Sequence, residues 1–382
     1  MRYKKFEDVK INRTEIPQKQ LNLDLKTKSN PFAWNGQFSP QFVDVMIKKY
    51  VKQNQKIIDP FLGSGTSILE ASLFNIDVCG IELNPAAFYL ASIYRLCNSE
   101  KKEREALIKL VEDRYLKSEI KLDAIMLDEK DEQIKNVITV LIMLDESEKS
   151  VNGDIYHSWS KLKSIILSLP VSKNHIKIIN ADSRNVELEH NYYDVMITSP
   201  PYVNVYNYHQ QYRDVMEGMG HDILNIAISE IGSNRKNRGN RFLSVIQYCI
   251  DITLLLNNII YFMKDEARFI FVIGRCSSVL GVTFSNSRLL YDILVRIFRC
   301  NIILRQERYF TNRYGQEIYE DILHFKCNKS NIGKEAKYYV SYAKKIASQY
   351  LCEKLREMEG NHPHHELLEY TLSQVNKIEA SR

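Results

Sequence analysis

The stretch Thr198-Ser199-Pro200-Pro201-Tyr202 constrains this chain more than any other. It follows an apolar run, Tyr193-Asp194-Val195-Met196-Ile197, that reads as a short buried strand. Each proline fixes φ and lacks an N–H, so the chain has to leave the sheet there in a stiff, extended turn. Such a turn at the carboxyl end of a strand is where open α/β sheets carry their chemistry. The turn offers the Ser199 hydroxyl, the Pro200 carbonyl, rigidity from Pro201 and the aromatic face of Tyr202. It holds no strong acid, base or metal ligand. Those groups suit a planar base whose exocyclic amine is to be held and made more nucleophilic. Standing alone, the same residues would equally serve as a proline-rich exit turn.

Upstream, Lys56-Ile57-Ile58-Asp59-Pro60-Phe61-Leu62-Gly63-Ser64-Gly65-Thr66 reads as a strand, a glycine turn and a helix start. Gly63 and Gly65 flank Ser64, which lets backbone approach a ligand closely. Thr66 can cap the helix that follows, residues 67–74, whose amino end favours a carboxylate or phosphate. Val78-Cys79-Gly80-Ile81-Glu82-Leu83-Asn84-Pro85 then reads as a second strand ending in an acid. Glu82 lies 17 residues beyond Gly65, about where a βαβ nucleotide site places the carboxylate for ribose hydroxyls.

The run from Asp59 to Thr66, taken with Thr198 to Tyr202, resembles the amino-methyltransferases of DNA. The Ser-Pro-Pro-Tyr form is most typical of their cytosine-N4 branch. The resemblance implies S-adenosylmethionine as methyl donor and double-stranded DNA as substrate. It implies an α/β fold of the Rossmann-like class I methyltransferase type, with a mostly parallel seven-stranded sheet and helices on both faces. Cofactor contacts are implied for Asp59, Phe61, Gly63, Ser64, Gly65, Thr66, Glu82 and Asn84, and for an acid at the end of the third strand. Asp182, with Ser183 beside it, is the candidate; a bare Asp there also reads as a helix cap. In the resembled family an aromatic-proline segment ahead of the glycine motif closes over the methionine end of the cofactor. Phe38-Ser39-Pro40 matches the end of that pattern, whose charged first half is absent. The same residues also read as an aromatic staple at the entry to a helix over residues 41–50. The catalytic residues implied are Ser199, Pro200, Pro201 and Tyr202. Ser199 points to cytosine N4, with adenine N6 as the alternative. An RNA amine is a further one. None of the nine prolines precedes a cysteine, which disfavours ring-carbon methylation through a Pro-Cys nucleophile. A cognate restriction endonuclease is the implied partner, and the chain would act as a monomer or dimer.

Composition adds limits. A chain of 382 residues can bury one large core with insertions, or two domains. No apolar run reaches ~18 residues, so no membrane span is expected. The run Met1-Arg2-Tyr3-Lys4-Lys5-Phe6 lacks the apolar segment a signal peptide needs. Seven cysteines without Cys-x-x-Cys spacing argue for reduced thiols and a cytoplasmic protein, with neither zinc nor a disulfide frame. The net charge of +5 permits a polyanionic partner.

In chain order, residues 1–29 are polar and basic and read as an arm or mobile tail. Residues 30–97 form the cofactor half. A helical insertion follows over 98–173, with helices expected at 98–127, 129–144 and 155–169 and a solvated, mixed-charge face. Residues 174–328 form the catalytic half and 329–382 a helical extension. Target recognition falls to residues 203–241. There Tyr206 and Arg213 sit in an aromatic, amide-rich run suited to bases. Arg235, Lys236, Arg238 and Arg241 follow in a loop suited to phosphates. Residues 242–263 read as a long helix, 268–274 as a buried fifth strand, and 302–310 with 321–326 as a closing hairpin whose Arg308 edges the base pocket. Two other classes fit less well. An NAD-dependent dehydrogenase would want a third glycine, and a non-catalytic binding subunit would not keep both motifs intact.

Overall fold

The computed structural model describes residues 3–116, 129–148, 155–204, 208–233, 235–311, 315–327, 329 and 332–380. Its strands are β1 (Ile57–Asp59), β2 (Val78–Glu82), β3 (Ile176–Asn180), β4 (Tyr193–Thr198), β5 (Met263–Gly274), β6 (Cys276–Val279), β7 (Val282–Ser285), β8 (Asn301–Thr311) and β9 (Glu317–Lys326). Seven of them form one sheet in the order β3-β2-β1-β4-β5-β9-β8, and β6-β7 is a separate hairpin. The β1–β2, β2–β3 and β4–β5 pairs are parallel, while β9 runs antiparallel to both β5 and β8. This is a mostly parallel, Rossmann-like sheet of seven strands, as expected. The chain divides into two compact units, residues 27–180 with 207–226, and residues 1–26 with 181–206 and 227–382. Each is described by itself.

In the first unit β1 is buried throughout and β2 at all but its last residue, as short parallel strands covered on both faces should be. The helix after the glycine turn is Thr66–Leu73, and its cap is Gly65 in the left-handed region, with φ +90°. Thr66 is therefore the first helical residue and not the cap; its hydroxyl donates instead to Asn30 Oδ1 at 2.8 Å. Asn84 does cap its helix, Pro85–Ser92, accepting the Ala86 N–H at 2.9 Å.

The segment expected as a helical insertion, 98–173, begins its first helix later and is more deeply packed than its charge suggests. Helix Lys101–Val111 opens on a reciprocal Glu100–Glu103 capping box and passes into a π turn at Glu112–Leu116. The remainder of the expected 98–127 helix lies outside the described residues. Helix Glu132–Glu148 packs on Pro85–Ser92 and on Ile155–Ser168, burying Val137, Ile138, Val140, Leu141 and Met143. Arg104 has no exposed surface. Its guanidinium donates to the carbonyls of Leu96 at 2.9 Å, Leu169 at 2.5 Å and Pro170 at 2.6 Å. A cation thus closes the carbonyl end of helix Ile155–Ser168, where the dipole favours positive charge.

In the second unit helix Leu243–Phe262 is apolar on all sides and packs against helix Ala336–Glu357. It corrects the expectation that no such run exists, since its length and composition would suffice for a membrane span. It is a core helix, with 78% of its most apolar window buried inside the protein. The expected tail is packed as well: Phe6, Val9, Ile16 and Leu21 are buried. The Asn12 N–H donates to the Arg305 carbonyl, Gln18 Nε2 to the Glu307 carbonyl, and the Tyr309 N–H to Asn22 Oδ1. Those are alternate residues along the outer edge of β8. The expected closing hairpin is longer than read, with Thr311 opposite Glu317. Hairpin β6–β7 was not expected; it turns through Leu280 and Gly281, both at positive φ, as a primed turn requires.

The cysteines correct the expectation of reduced thiols. Cys300 and Cys327 are disulfide-bonded, with Cα atoms 4.2 Å apart. Register explains it: Asn301 pairs with Lys326, so the flanking residues face each other at the open end of the hairpin. The other five cysteines are not disulfide-bonded.

Replacing Arg104 by Met keeps an unbranched chain but strands the buried carbonyls of Leu96, Ile166 and Leu169 and the part-buried one of Pro170. The expected cost is roughly 3 kcal/mol of unfolding free energy, at ~1 kcal/mol or more per orphaned group. Urea denaturation of Arg104→Met against the parent measures it.

Candidate active site

The glycine turn is braced from below and covered from above, all within the first unit. Asp59 is fully buried; one oxygen accepts the Phe61 N–H at 3.1 Å and the other the Ser67 hydroxyl at 2.7 Å. Asp59 therefore shapes the turn from beneath. At Gly65 an added Cβ would stand 2.8 Å from Ala91 Cβ and from the Tyr94 ring, so only glycine fits. Glu82 at the end of β2 accepts the Gly63 N–H at 2.7 Å and the Asn84 N–H at 2.8 Å, which fixes its half-exposed carboxylate beside the turn.

Above the turn lies the aromatic loop. Trp34 packs on Gly63, where an added Cβ would lie 3.5 Å from the indole. Gln37 accepts the Ser64 hydroxyl at 2.8 Å, and Asn30 donates to the Phe38 carbonyl at 2.7 Å. Phe38 stacks on Phe42 at 6.1 Å, and Pro40 opens helix Pro40–Tyr50. Gln211 ties this loop to the segment beyond the catalytic motif. Its amide donates to the Ala33 carbonyl at 3.0 Å and accepts the Asn35 N–H at 3.3 Å. Ser39 Oγ and Asn84 Nδ2 are buried polar atoms without a hydrogen-bond partner among the described residues.

These groups fit S-adenosylmethionine by their chemistry. A fixed carboxylate suits ribose hydroxyls, a glycine turn admits close backbone approach, and the orphaned hydroxyl and amide could take up polar ends of a ligand. Glu82 and the turn Gly63 to Thr66 would hold the nucleoside, with Ser39 and Asn84 completing the set.

In the second unit Asp182 is a half-buried acid two residues past β3, and Ser183 beside it is buried. Asp182 accepts the Arg184 N–H at 2.9 Å across a turn; no helix follows it, so it is not the helix cap its alternative reading had. The Arg184 guanidinium then binds the carboxylate at 3.0 Å from Nε and 2.5 Å from Nη2, and reaches buried Asp251 at 2.9 Å.

At the end of β4, Thr198 is fully buried, Ser199 half-buried and Pro200 buried. Among the described residues the Ser199 hydroxyl has no hydrogen-bond partner. The turn's exit is pinned. The Tyr202 hydroxyl donates to Glu320 Oε1 at 3.0 Å, and burial first, then the Glu320 charge, holds that phenol well above its usual pKa. The Val203 N–H donates to Asn286 Oδ1 at 3.2 Å, while Asn286 Nδ2 donates to the Gly274 carbonyl at 3.0 Å. Asn204 Nδ2 donates to the Ser278 carbonyl, on β6, at 2.9 Å. Pro201 and Tyr202 remain half-exposed at their outer edges.

The residues assigned to DNA are less uniform. Tyr206 lies outside the described residues. Arg213 pairs with Glu217 at 2.8 Å, and Arg308 is paired with Glu320 at 2.5 Å. Arg235 is half-buried, whereas Lys236, Arg238 and Arg241 are exposed. Asn240 anchors this basic segment through Thr371, at 2.9 Å, on helix His365–Gln374. Sequence reasoning missed Gly274, Asn286, Glu320, Arg184 and Gln211. Only Gly274, the glycine closing an apolar strand, carried a signal of its own.

A family model described as DNA methylase, of the N6/N4 methyltransferases, matches residues 3–92. The chain is 22% identical to the type II methyltransferase M.MjaII of Methanocaldococcus jannaschii, over 75% of this chain and 78% of that protein. It is 21% identical to the type II methyltransferase M.AvaI of a Nostoc strain, over 63% of this chain and 66% of that one. Among solved structures, an S-adenosylmethionine-dependent methyltransferase of Methanosarcina mazei aligns with a TM-score of 0.35 at 11% identity, over 74% of this chain and 96% of that one. The chain is thus similar over residues 3–92 to the N6/N4 DNA methylases and, along most of its length, to two type II methyltransferases.

Proposed function

We propose that this chain methylates the exocyclic N4 amine of cytosine in duplex DNA, as the modification enzyme of a restriction-modification pair. The observation that carries the reading is the Ser199-Pro200 step. It sets an unpartnered, half-buried hydroxyl and a backbone carbonyl side by side on a turn that two prolines stiffen.

The cofactor supplies a methyl made electrophilic by its sulfonium. The rest falls to the protein. A cytosine amine is conjugated with its ring and is a poor nucleophile. With one amine hydrogen donated to Ser199 Oγ and the other to the Pro200 carbonyl, the nitrogen is drawn towards tetrahedral geometry and its lone pair is freed. Tyr202, fixed at its hydroxyl, offers a ring for the base to stack on. With the cofactor held by Glu82 and the glycine turn, its methyl would pass to the nitrogen with the C–S bonding pair left on the departing thioether, and the amine would shed one proton to water. Alignment supplies much of the rate, so the stiffness of the turn is functional. A base in a duplex has to be flipped out to reach it. Lys236, Arg238 and Arg241, with Arg235, are placed for phosphates, and residues 203–241 are the proposed recognition surface.

The first test is incubation of unmethylated DNA with labelled S-adenosylmethionine, followed by nucleoside mass spectrometry. N4-methylcytosine is expected. N6-methyladenine would overturn the base assignment and leave the chemistry, and label confined to RNA would overturn the substrate. Ser199→Ala is expected to abolish turnover, at least a hundredfold, with the affinity for S-adenosylhomocysteine retained by calorimetry. Equal loss of both would remove Ser199 from the chemistry. Replacing Arg235, Lys236, Arg238 and Arg241 together by Gln should weaken DNA binding and reduce the slope of log K against log salt by about three to four.

A further inference from the structure

In the second unit one row of the sheet runs across three strands. Gly274 at the end of β5 stands opposite Glu320 on β9, and Glu320 stands opposite Arg308 on β8. Residues directly opposite share a face, so their side chains would lie in one line. The first place in the line is empty, because position 274 has no side chain. The Tyr202 ring fills it. A Cβ added at Gly274 would come within 2.5 Å of Tyr202 Cε2 and 2.8 Å of Cζ. From there the Tyr202 hydroxyl reaches Glu320 Oε1 at 3.0 Å, while Arg308 Nε holds Oε2 at 2.5 Å. Tyrosine, carboxylate and guanidinium thus continue a row that begins with a vacancy.

We infer that Glu320 and Arg308 are positioning residues for methyl transfer, which fix the plane of the Tyr202 ring by anchoring its hydroxyl across the β8–β9 hairpin. The inference rests on the function proposed above.

A merely structural reading accounts poorly for the arrangement. Both side chains of the ion pair are about nine-tenths buried, and taking charges out of water costs more than an apolar pair of similar size. What an ion pair adds over an apolar pair is direction. Oε2 is occupied by Arg308, which leaves Oε1 facing the phenol. A phenylalanine at 202 would still fill the space over Gly274 but could rotate or slide there. The hydroxyl pins the ring edge, and the glycine leaves the room the ring occupies. This also explains why Arg308, read from sequence as a DNA contact, is turned inward.

The test is a double-mutant cycle with Tyr202→Phe and Glu320→Ala, read twice. Each single change should lower kcat for methyl transfer about tenfold, as loss of orientation does, with KM for S-adenosylmethionine unchanged. The double variant should be no slower than either single one, because both remove the same contact. Glu320→Gln, which keeps an acceptor oxygen, should restore most of kcat. Multiplicative effects, parental kcat for Tyr202→Phe, or a rise in KM for the cofactor would overturn the inference. The same four proteins are compared by thermal unfolding. Coupling between positions 202 and 320 in stability is expected whatever the enzyme methylates, and its absence overturns the geometry. Such coupling, in a parent protein that transfers no methyl group to DNA, would instead overturn the proposed function. If Glu320→Ala fails to fold, Gly274→Ala displaces the ring from the other side and should give the same loss of kcat at unchanged cofactor KM. A parental kcat there would count against the row.

Discussion

The functional ends of these strands depend on places where a side chain is missing. A Cβ at Gly65 would collide with the backbone of Ala91, and one at Gly80 would stand 2.5 Å from Leu62. Gly274 yields its place to Tyr202. Close packing at these points leaves no slack, because a protein interior cannot absorb even one methyl group without shifting its neighbours. The glycine turn sits low enough for Trp34 to cover it, and the exit of the proline turn lies flat on β5. Polar groups then complete the fixation: Glu82 on the Gly63 amide, Asp59 on the Phe61 amide, Asn286 on Val203.

Much of this was readable in the chain. The strands of the parallel sheet are short apolar runs with turn residues at their ends, and local pattern suffices for them. Both motifs reveal themselves because proline and glycine act on their own backbone, with no partner needed. What escaped notice depends on partners far away in sequence. Glu320 is an ordinary strand acid until register sets it beside Arg308 and beneath Tyr202. Arg104 reads as one more charge on a solvated helix, yet it lies buried because four carbonyls converge on it. Cys300 and Cys327 share no spacing motif and meet only through the hairpin ladder. The β6–β7 turn uses Leu280 at positive φ, where the usual signal would be Asn-Gly, so nothing local announced it.

Charge in this chain is placed with more order than its modest net value suggests. Three exposed cations, at positions 236, 238 and 241, sit close together on a segment held in place by an Asn240–Thr371 pair. Two other cations are tied to specific acids. Arg184 joins Asp182 to Asp251, and Arg275 joins Glu307 to Asp321. Each such link fixes a direction as well as a distance, and so can hold a loop at a strand end where packing alone would leave it free to turn.

The path of residues 12–22 along β8 has a consequence of another kind. A strand at the rim of a sheet displays a ladder of unmatched amides and carbonyls, which any other extended segment can pair with. Here Arg305, Glu307 and Tyr309 have theirs taken by Asn12, Gln18 and Asn22, two of them through side-chain amides. A side-chain amide satisfies the rim without extending it, because it offers no second edge for the next chain to join. The protein thereby closes the β8 rim of its own sheet to strand addition at these positions.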